Sequence, residues 1–336
     1  MSGPSAPEHR QGSALGPAPH GAGGRAVALL GPPREWAPGI VLLGLAAALP
    51  ALVSTEYVLL AAGVLVTMLL GVSFNLLFGY AGMFSFGQSA FYGVGAYVAV
   101  LLVNEAGVSF WAALPAAILA AALLAAGSGA LLVRIEPIAF IMLTFALADL
   151  LEFTAGHARS LTGGDSGTIA VLPGSLNETL GADRVYYAIL AVAAVALVLA
   201  FAFVRSRAGL VLRGIREDAL RAETLGIAVA RRRLGVFALA GAIAAAGGAL
   251  SVLSTQIVYP SVFAWQLSAT ALIVTLLGGA GLFCGPLIGA VVLELIEFYV
   301  GRSSTNTLLI DGAVLLAIVL LAPRGLLALG SGGRRD

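Results

Sequence analysis

Apolar runs of about 18 to 22 residues recur along this chain from Trp36 to Ala322. The hydrocarbon core of a bilayer is about 30 Å thick, and a helix needs about 20 apolar residues to cross it. Only 10% of the 336 residues are charged, against about 25% in an average soluble domain. The chain is therefore predicted to be an all-α polytopic membrane protein.

The predicted membrane domain occupies residues 36–326 and contains about ten spans. Residues 1–35 are rich in Gly, Pro, Ala and Ser and have no apolar run of signal-peptide length, so we expect a disordered tail there and a second tail at 327–336. The spans are predicted at about 38–53, 57–78, 83–103, 110–133, 138–155, 185–204, 234–253, 266–284, 286–300 and 307–322.

The arginines indicate the orientation, because basic residues near the ends of spans are retained in the cytoplasm. With the N-terminus inside, alternation through ten spans places fifteen of the 18 arginines in the cytoplasm and leaves only Arg159, Arg184 and Arg302 outside. Both termini and the connection at 205–233 are thus predicted to be cytoplasmic. The other long connection, at 156–184, is predicted to be external.

Several classes of protein are excluded by residues that the chain lacks. It has no Lys, which a P-loop or a Schiff-base enzyme requires. Cys284 is the single cysteine, and His9, His20 and His157 are scattered, so neither a disulfide nor a metal site is predicted. A net charge of +1 argues against binding to nucleic acid. The spans also hold no Ser–His or metal constellation for an intramembrane enzyme, so we predict that the chain is not an enzyme.

The cytoplasmic connection carries a short predicted helix from about Arg216 to Leu225. Residues at spacings of three and four share its faces, acidic residues suit its first turn, and Gly226 ends it. Such a helix suits a groove on another protein, although a helix lying against anionic lipid has the same pattern. Its candidate contact residues are Arg216, Glu217, Asp218, Arg221, Ala222, Glu223 and Gly226.

Two glycine-rich stretches interrupt apolar segments. The first, at 79–97, predicts either a broken helix or a very close helix contact, because glycine has low helix propensity and a small side chain. A broken helix would place Gly82, Ser85, Gln88 and Ser89 beside a path across the membrane. The second stretch predicts a turn or half-helix, because proline removes a backbone N–H, and contains Gly278, Gly279, Gly281, Gly285, Pro286 and Gly289.

Acidic residues within the spans are functional candidates, because an unpaired charge in lipid is unfavourable. Asp149 and Glu152 form an i,i+3 pair that could meet the ammonium group of a substrate. Their position in the outer half also allows them to reach the interface and pair with Arg159. The same two alternatives apply to the other membrane acids, which are Glu294, Glu297 and Asp311.

Four stretches together resemble the LivM-type permease subunits of branched-chain amino acid ABC importers. They are the loop from Arg216 to Ile227, the glycine-rich segment from Gly79 to Tyr97, the external Thr162-Gly163-Gly164-Asp165-Ser166-Gly167, and the C-terminal segment from Leu277 to Ala290. Two positions depart from the family: Gln88 stands where such permeases often carry His, and Met83 where Gln is common.

This resemblance implies a pore-forming subunit of the bacterial inner membrane that binds no cofactor itself. Its implied partners are a second related permease, two cytoplasmic ATPases that bind ATP and Mg²⁺, a periplasmic or extracellular solute-binding protein, and membrane lipid. The cytoplasmic helix would couple the ATPases to transport, and the substrate path would include Gly82, Ser85, Gln88, Ser89, Asp149 and Glu152.

Two other transport functions fit the same sequence. A sibling ABC permease would carry amides, urea or another small solute. A proton-coupled secondary transporter would use Asp149 and Glu152 as a relay and would need no ATPase.

The orientation can be tested by cysteine labelling in a Cys284→Ser background. With Arg221→Cys, an impermeant maleimide is expected to label the protein only after the membrane is permeabilised, because the arginine bias places this position inside. Labelling in intact cells would reverse the assigned orientation.

Overall fold

The computed structural model describes residues 49–51, 53–172, 178–301 and 326, most of them helical. Two short strands, β1 (Thr168–Ile169) and β2 (Ile257–Val258), pair antiparallel. The helices are α1 (Thr55–Asn75), α2 (Gln88–Asn104), α3 (Phe110–Leu132), α4 (Pro137–His157), α5 (Arg159–Thr162), α6 (Glu178–Arg205, kinked at Gly181), α7 (Arg207–Glu217), α8 (Ala219–Thr224), α9 (Val229–Thr255), α10 (Trp265–Gly278) and α11 (Gly285–Gly301).

Five helices in the described residues are long and apolar enough to cross a membrane, and α2 and α10 are shorter apolar helices. A polytopic helical protein is therefore confirmed, while the total of ten spans stays a prediction. The predicted span at 307–322, most of that at 38–53 and both predicted tails lie outside the described residues. The five long spans are Thr55–Tyr80, Phe110–Leu132, Pro137–His157, Gly181–Arg205 and Val229–Thr255.

Helix α9 forms the centre of the bundle and packs against α1, α2, α3 and α6. Small residues on α9 and α2 allow the backbones to approach closely. A Cβ added at Gly95 would overlap the backbone of Ala245, and one added at Gly248 would overlap the carbonyl of Tyr92. The contact between α2 and α9 therefore depends on glycine at both positions.

Helices α3, α4 and α6 lie at the periphery. In the most apolar 18-residue stretch of each, a third or less of the residues are buried. Their outward faces carry large apolar side chains, which suit lipid or another apolar protein surface. Examples are Leu119, Leu123, Met142, Phe153, Val195 and Leu199.

The two long connections lie at opposite ends of α9. The connection that contains α7 and α8 leads into its first residue, Val229. Beyond its last residue, Thr255, strand β2 pairs with β1 of the other connection. Since α9 runs 27 residues, about 40 Å at 1.5 Å per residue, the two connections are separated by the depth of the bundle.

We expect Gly95→Ala to lower the free energy of unfolding by about 1–3 kcal/mol, because the added methyl group meets backbone that cannot rotate away. Thermal unfolding of the purified protein in detergent measures the effect. Gly127→Ala is the matched control: nothing lies within 4 Å of its added Cβ on α3, so stability should stay constant or rise. Equal effects at the two positions would contradict the close α2–α9 contact.

Candidate functional site

The chain breaks its helical path at residues 82–87, between a π-helical turn at Leu76–Tyr80 and the start of α2. Non-helical backbone within a membrane needs other hydrogen-bond partners. Here side chains provide them: the N–H of Phe86 donates to Oγ1 of Thr144 at 3.2 Å, and that of Gly87 donates to Oγ of Ser85 at 3.1 Å. Specific side chains of the protein therefore stabilise the non-helical backbone of this break.

Ser268 on α10 joins the break to the start of α2. Its hydroxyl donates to the carbonyl of Phe86 at 2.6 Å and accepts the N–H of Ser89 at 2.9 Å. The Ser89 hydroxyl lies 3.0 Å from the same oxygen. Since Ser268 is in the first turn of α10 and Ser89 in the first turn of α2, the N-termini of two helices meet here.

The side chain of Gln88, the first residue of α2, is fully buried. Oγ of Ser73 lies 2.9 Å from its Oε1 and 2.8 Å from the carbonyl of Leu70, while Nε2 has no partner among the described residues. A serine hydroxyl has one proton to donate. Whichever way the amide of Gln88 is turned, one of its polar atoms stays unpaired in the described part of the chain.

A row of aromatic side chains lies beside this polar cluster. Ring centroids are 5.2 Å apart for Phe84 and Phe86, 6.4 Å for Phe86 and Trp265, and 6.5 Å for Trp265 and Phe145. Trp265 is 44% exposed and Phe145 is 38% exposed. An apolar surface is thus open next to buried polar atoms.

The second break separates α10, which ends at Gly278, from α11, which begins at Gly285. Asn75 holds its turn from α1: its Oδ1 accepts the N–H of Gly281 at 2.9 Å, and its Nδ2 donates to the carbonyl of Leu282 at 3.0 Å. Gly281 has φ +82°, a left-handed conformation that glycine adopts without strain.

The glycines around this second break also pack closely. A Cβ at Gly278 would overlap the carbonyl of Gly285, and one at Gly289 would overlap that of Val274. Gly279 has φ +118°, and Pro286 lies against Gly71 of α1. These contacts give the glycines a packing role between α1, α10 and α11.

The connection at 205–233 differs from the single predicted helix. Helix α7 ends at Glu217, and Asp218 has an extended backbone with φ −154° and ψ 98°. Its Oδ1 accepts the N–H of Arg221 at 2.9 Å and so begins a separate helix, α8. The prediction of one helix from Arg216 to Leu225 was therefore wrong, because an aspartate caps a helix start more favourably than it continues a helix interior.

Helix α8 ends at Thr224, and the predicted stop follows at Gly226, whose φ is +79°. The N–H of Ile227 donates to the carbonyl of Ala222 at 3.1 Å, and that of Gly226 to the carbonyl of Glu223 at 2.9 Å, which together form a Schellman motif. Ala222 is buried, whereas Leu220 and Leu225 are exposed by 73% and 74%. The short helix thus presents two leucines away from the bundle.

Arg216, at the end of α7, lies between the two breaks. Its Nη1 donates to the carbonyl of Gly79 in the π-helical turn that follows α1. A Cβ at Gly82 would lie 3.0 Å from its Cγ, and one at Gly281 would lie 3.1 Å from its Nη1. One side chain therefore connects α7 to both glycine-rich turns.

The sequence of this chain also matches a known protein family. The family model described as the permease component of branched-chain amino acid transport systems matches residues 54–322. The chain belongs to this permease family.

Two curated relatives carry the name of the high-affinity branched-chain amino acid transport system permease protein LivM. One is from Escherichia coli strain K12 and the other from Salmonella typhimurium strain LT2. Each is 27% identical to this chain over 319 residues, covering 86% of the chain and 74% of the relative. No solved structure matches the chain.

The structure of this permease does not bring all the predicted path residues together. Ser85, Gln88 and Ser89 are buried around the first break, and Gly82 lies on its exposed side next to Arg216.

Asp149 and Glu152 are separate from that cluster. Thr144 of α4 contacts the break. Asp149 is exposed on the same helix and lies about 140° around the helix axis from Thr144, so it faces away from the break. Glu152 is half-buried.

Sequence reasoning on this permease missed four buried polar residues that organise the breaks: Ser73, Asn75, Thr144 and Ser268. Each was visible as a polar residue within an apolar span, which is a signal of function or of specific hydrogen bonding. Glu294, one of the membrane acids named from the sequence, lies on α11 and accepts a hydrogen bond from the hydroxyl of Thr67 on α1.

Removing the Ser268 hydroxyl should destabilise the permease. Ser268→Ala leaves the N–H of Ser89 and the carbonyl of Phe86 without this partner, and each unpaired buried group costs about 1–3 kcal/mol. We expect a lower unfolding temperature in detergent. Ser254→Ala is the control, since that hydroxyl only donates to the carbonyl of Ser251 within α9. A Ser268→Ala protein as stable as the control would show that the hydroxyl does not hold the break.

Proposed function

We propose that this chain is a transmembrane permease subunit of an ABC importer that moves branched-chain or other hydrophobic amino acids across the bacterial cytoplasmic membrane. The match of residues 54–322 to the permease family carries the proposal. The relatives named LivM support the substrate class. The chain has no Lys for a P-loop, so ATP with Mg²⁺ is hydrolysed by two partner ATPases. A second related permease and a solute-binding protein complete the importer.

The first break supports a path for an amphiphilic solute. The N-termini of α2 and α10 meet there, and the positive end of a helix dipole attracts a carboxylate. The unpaired atom of the Gln88 amide offers one further polar contact. Beside them, the exposed faces of Phe145 and Trp265 suit an aliphatic side chain. Together these groups match the charged and apolar ends of a hydrophobic amino acid.

The aromatic row favours hydrophobic amino acids over urea or small amides, which have no side chain to place on it. Asp149 is exposed and apart from the buried cluster, which weighs against a proton relay through Asp149 and Glu152. The substrate path in this proposal therefore includes Gly82, Ser85, Gln88 and Ser89, with the two acids at its periphery.

The function is tested by reconstituting the chain in proteoliposomes together with the second permease, the ATPases and the solute-binding protein encoded in the same genome. We expect leucine uptake that requires ATP and the binding protein. Uptake of urea in place of leucine would assign the sibling function. Uptake driven by a proton gradient without ATP would assign a secondary transporter.

Helix α8 is the proposed contact with an ATPase, and Ala222→Arg is expected to abolish transport. The substitution places a bulky charge where Ala222 is buried against the bundle, at a cost of about 2 kcal/mol or more, so α8 no longer holds Leu220 and Leu225 outward toward the ATPase. Gly226→Val should act similarly, because a β-branched residue disfavours φ of +79°.

The measurement combines leucine uptake with co-purification of the ATPases. Arg232→Ala is the control, because this exposed arginine lies between two others and its loss should be tolerated. If Ala222→Arg retained both uptake and ATPase association, α8 would not be the coupling helix.

Arg216 is the proposed link between the ATPase contact and the path. Arg216→Gln removes the guanidinium that reaches Gly79 and Gly281, so we expect the ATPases to bind normally while leucine uptake per ATP hydrolysed falls. Arg231→Gln, the same change at an exposed position of α9, should leave this ratio constant. Loss of ATPase binding in Arg216→Gln alone would instead make this residue part of the docking surface.

A further inference from the structure

A cavity of about 550 Å³ lies where the end of α6, the start of α7 and the second break come together. Helix α6 ends a span at Arg205, so the cavity is at the boundary between the membrane-spanning bundle and the cytoplasmic connection. The transport path proposed above does not use it. Its chemistry indicates a separate ligand.

Three arginines line this cavity: Arg205, Arg207 and Arg213. Among the described residues that line it, none is acidic. The guanidinium of Arg205 lies 5.5 Å from the ring centroid of Phe201, and that of Arg213 lies 5.0 Å from that of Tyr80. These cation–π contacts hold two of the charges at the cavity wall, where they favour an anion.

The N-terminus of α7 adds to the positive potential. Ser206 caps it by accepting the N–H groups of Ala208 and Gly209, and this serine also lines the cavity. The helix has 11 residues, so its dipole contributes at this end. Guanidinium groups and a helix N-terminus together are a common arrangement for binding phosphate.

The rest of the cavity wall is apolar. The rings of Phe201 and Phe283 are 5.1 Å apart, and Leu210 is 69% exposed. A free phosphate would use only the basic part of this wall, and an acidic peptide would leave the apolar part uncovered. An amphiphile with a phosphate group matches both parts.

We propose that this cavity binds the headgroup of an anionic phospholipid of the cytoplasmic leaflet. The phosphodiester is held by Arg205, Arg207 and Arg213, and the first methylenes of an acyl chain lie against Leu210 and Phe283. Basic pockets between transmembrane helices on the cytoplasmic side are a known form of lipid recognition. Because Gly281 and Leu282 also line the cavity, a bound lipid stabilises the second break against α7.

The proposal is tested by native mass spectrometry and by binding of fluorescent lipid to the purified chain in a zwitterionic detergent. The probes are dioleoyl phosphatidylglycerol, dioleoyl phosphatidylcholine and inorganic phosphate. We expect one phosphatidylglycerol to bind in preference to phosphatidylcholine, and excess inorganic phosphate to leave it bound.

The variant Arg207→Gln/Arg213→Gln is expected to lower the affinity for phosphatidylglycerol roughly 25-fold, since each cation near an anionic surface contributes about fivefold. The control Arg231→Gln/Arg232→Gln makes the same charge change at exposed residues near the start of α9 that do not line the cavity, and its affinity should stay within about twofold. Circular dichroism checks that both variants are folded.

Three outcomes would overturn the proposal. Equal loss in the two double variants would show that only overall charge matters. Displacement by inorganic phosphate would assign a phosphate site without a lipid. Binding of an acidic segment of the partner ATPase to this cavity, detected by cross-linking at Arg207→Cys in the complex, with no phosphatidylglycerol bound to the isolated chain, would assign a protein contact.

Discussion

Backbone hydrogen bonding within the membrane is the constraint on which the functional part of this structure depends. A helix satisfies its own N–H and C=O groups, so each break requires partners from elsewhere. At the first break the side chains of Ser85, Thr144 and Ser268 provide them, and at the second break the amide of Asn75 does. The polar residues of this apolar chain are concentrated where the helices stop.

The two breaks and the connection that contains α7 and α8 form one continuous structure. Arg216 donates a hydrogen bond to Gly79. A Cβ added at Gly82 or Gly281 would contact the Arg216 side chain too closely. Asn75 spans from α1 to the turn at Gly281 and Leu282. Directed contacts therefore connect α7 to the turn that follows α1 and to the turn between α10 and α11.

Much of the fold followed from hydropathy and from glycine and proline. The spans containing α1, α3, α4, α6 and α9 are visible as apolar runs, and the stop at Gly226 follows from glycine at a helix end. The start of α8 was misplaced, because the residues around Asp218 favour helix locally and only the observed backbone shows that this aspartate is a cap. The close contact at Gly95 was left open between packing and a broken helix, since both require the same small residue.

The sequence by itself determined that this chain is a helical membrane protein and that it belongs with permeases. These properties depend on amino-acid composition and on short motifs along the chain, and both can be read directly from the sequence. Only the tertiary structure decided that Ser268 meets Ser89, that Asn75 holds Gly281, and that Arg216 reaches Gly79. Each of these pairs is separated by more than a hundred residues, so their partnership is set by how the helices pack and by the need to satisfy backbone groups in lipid, and no local pattern records it.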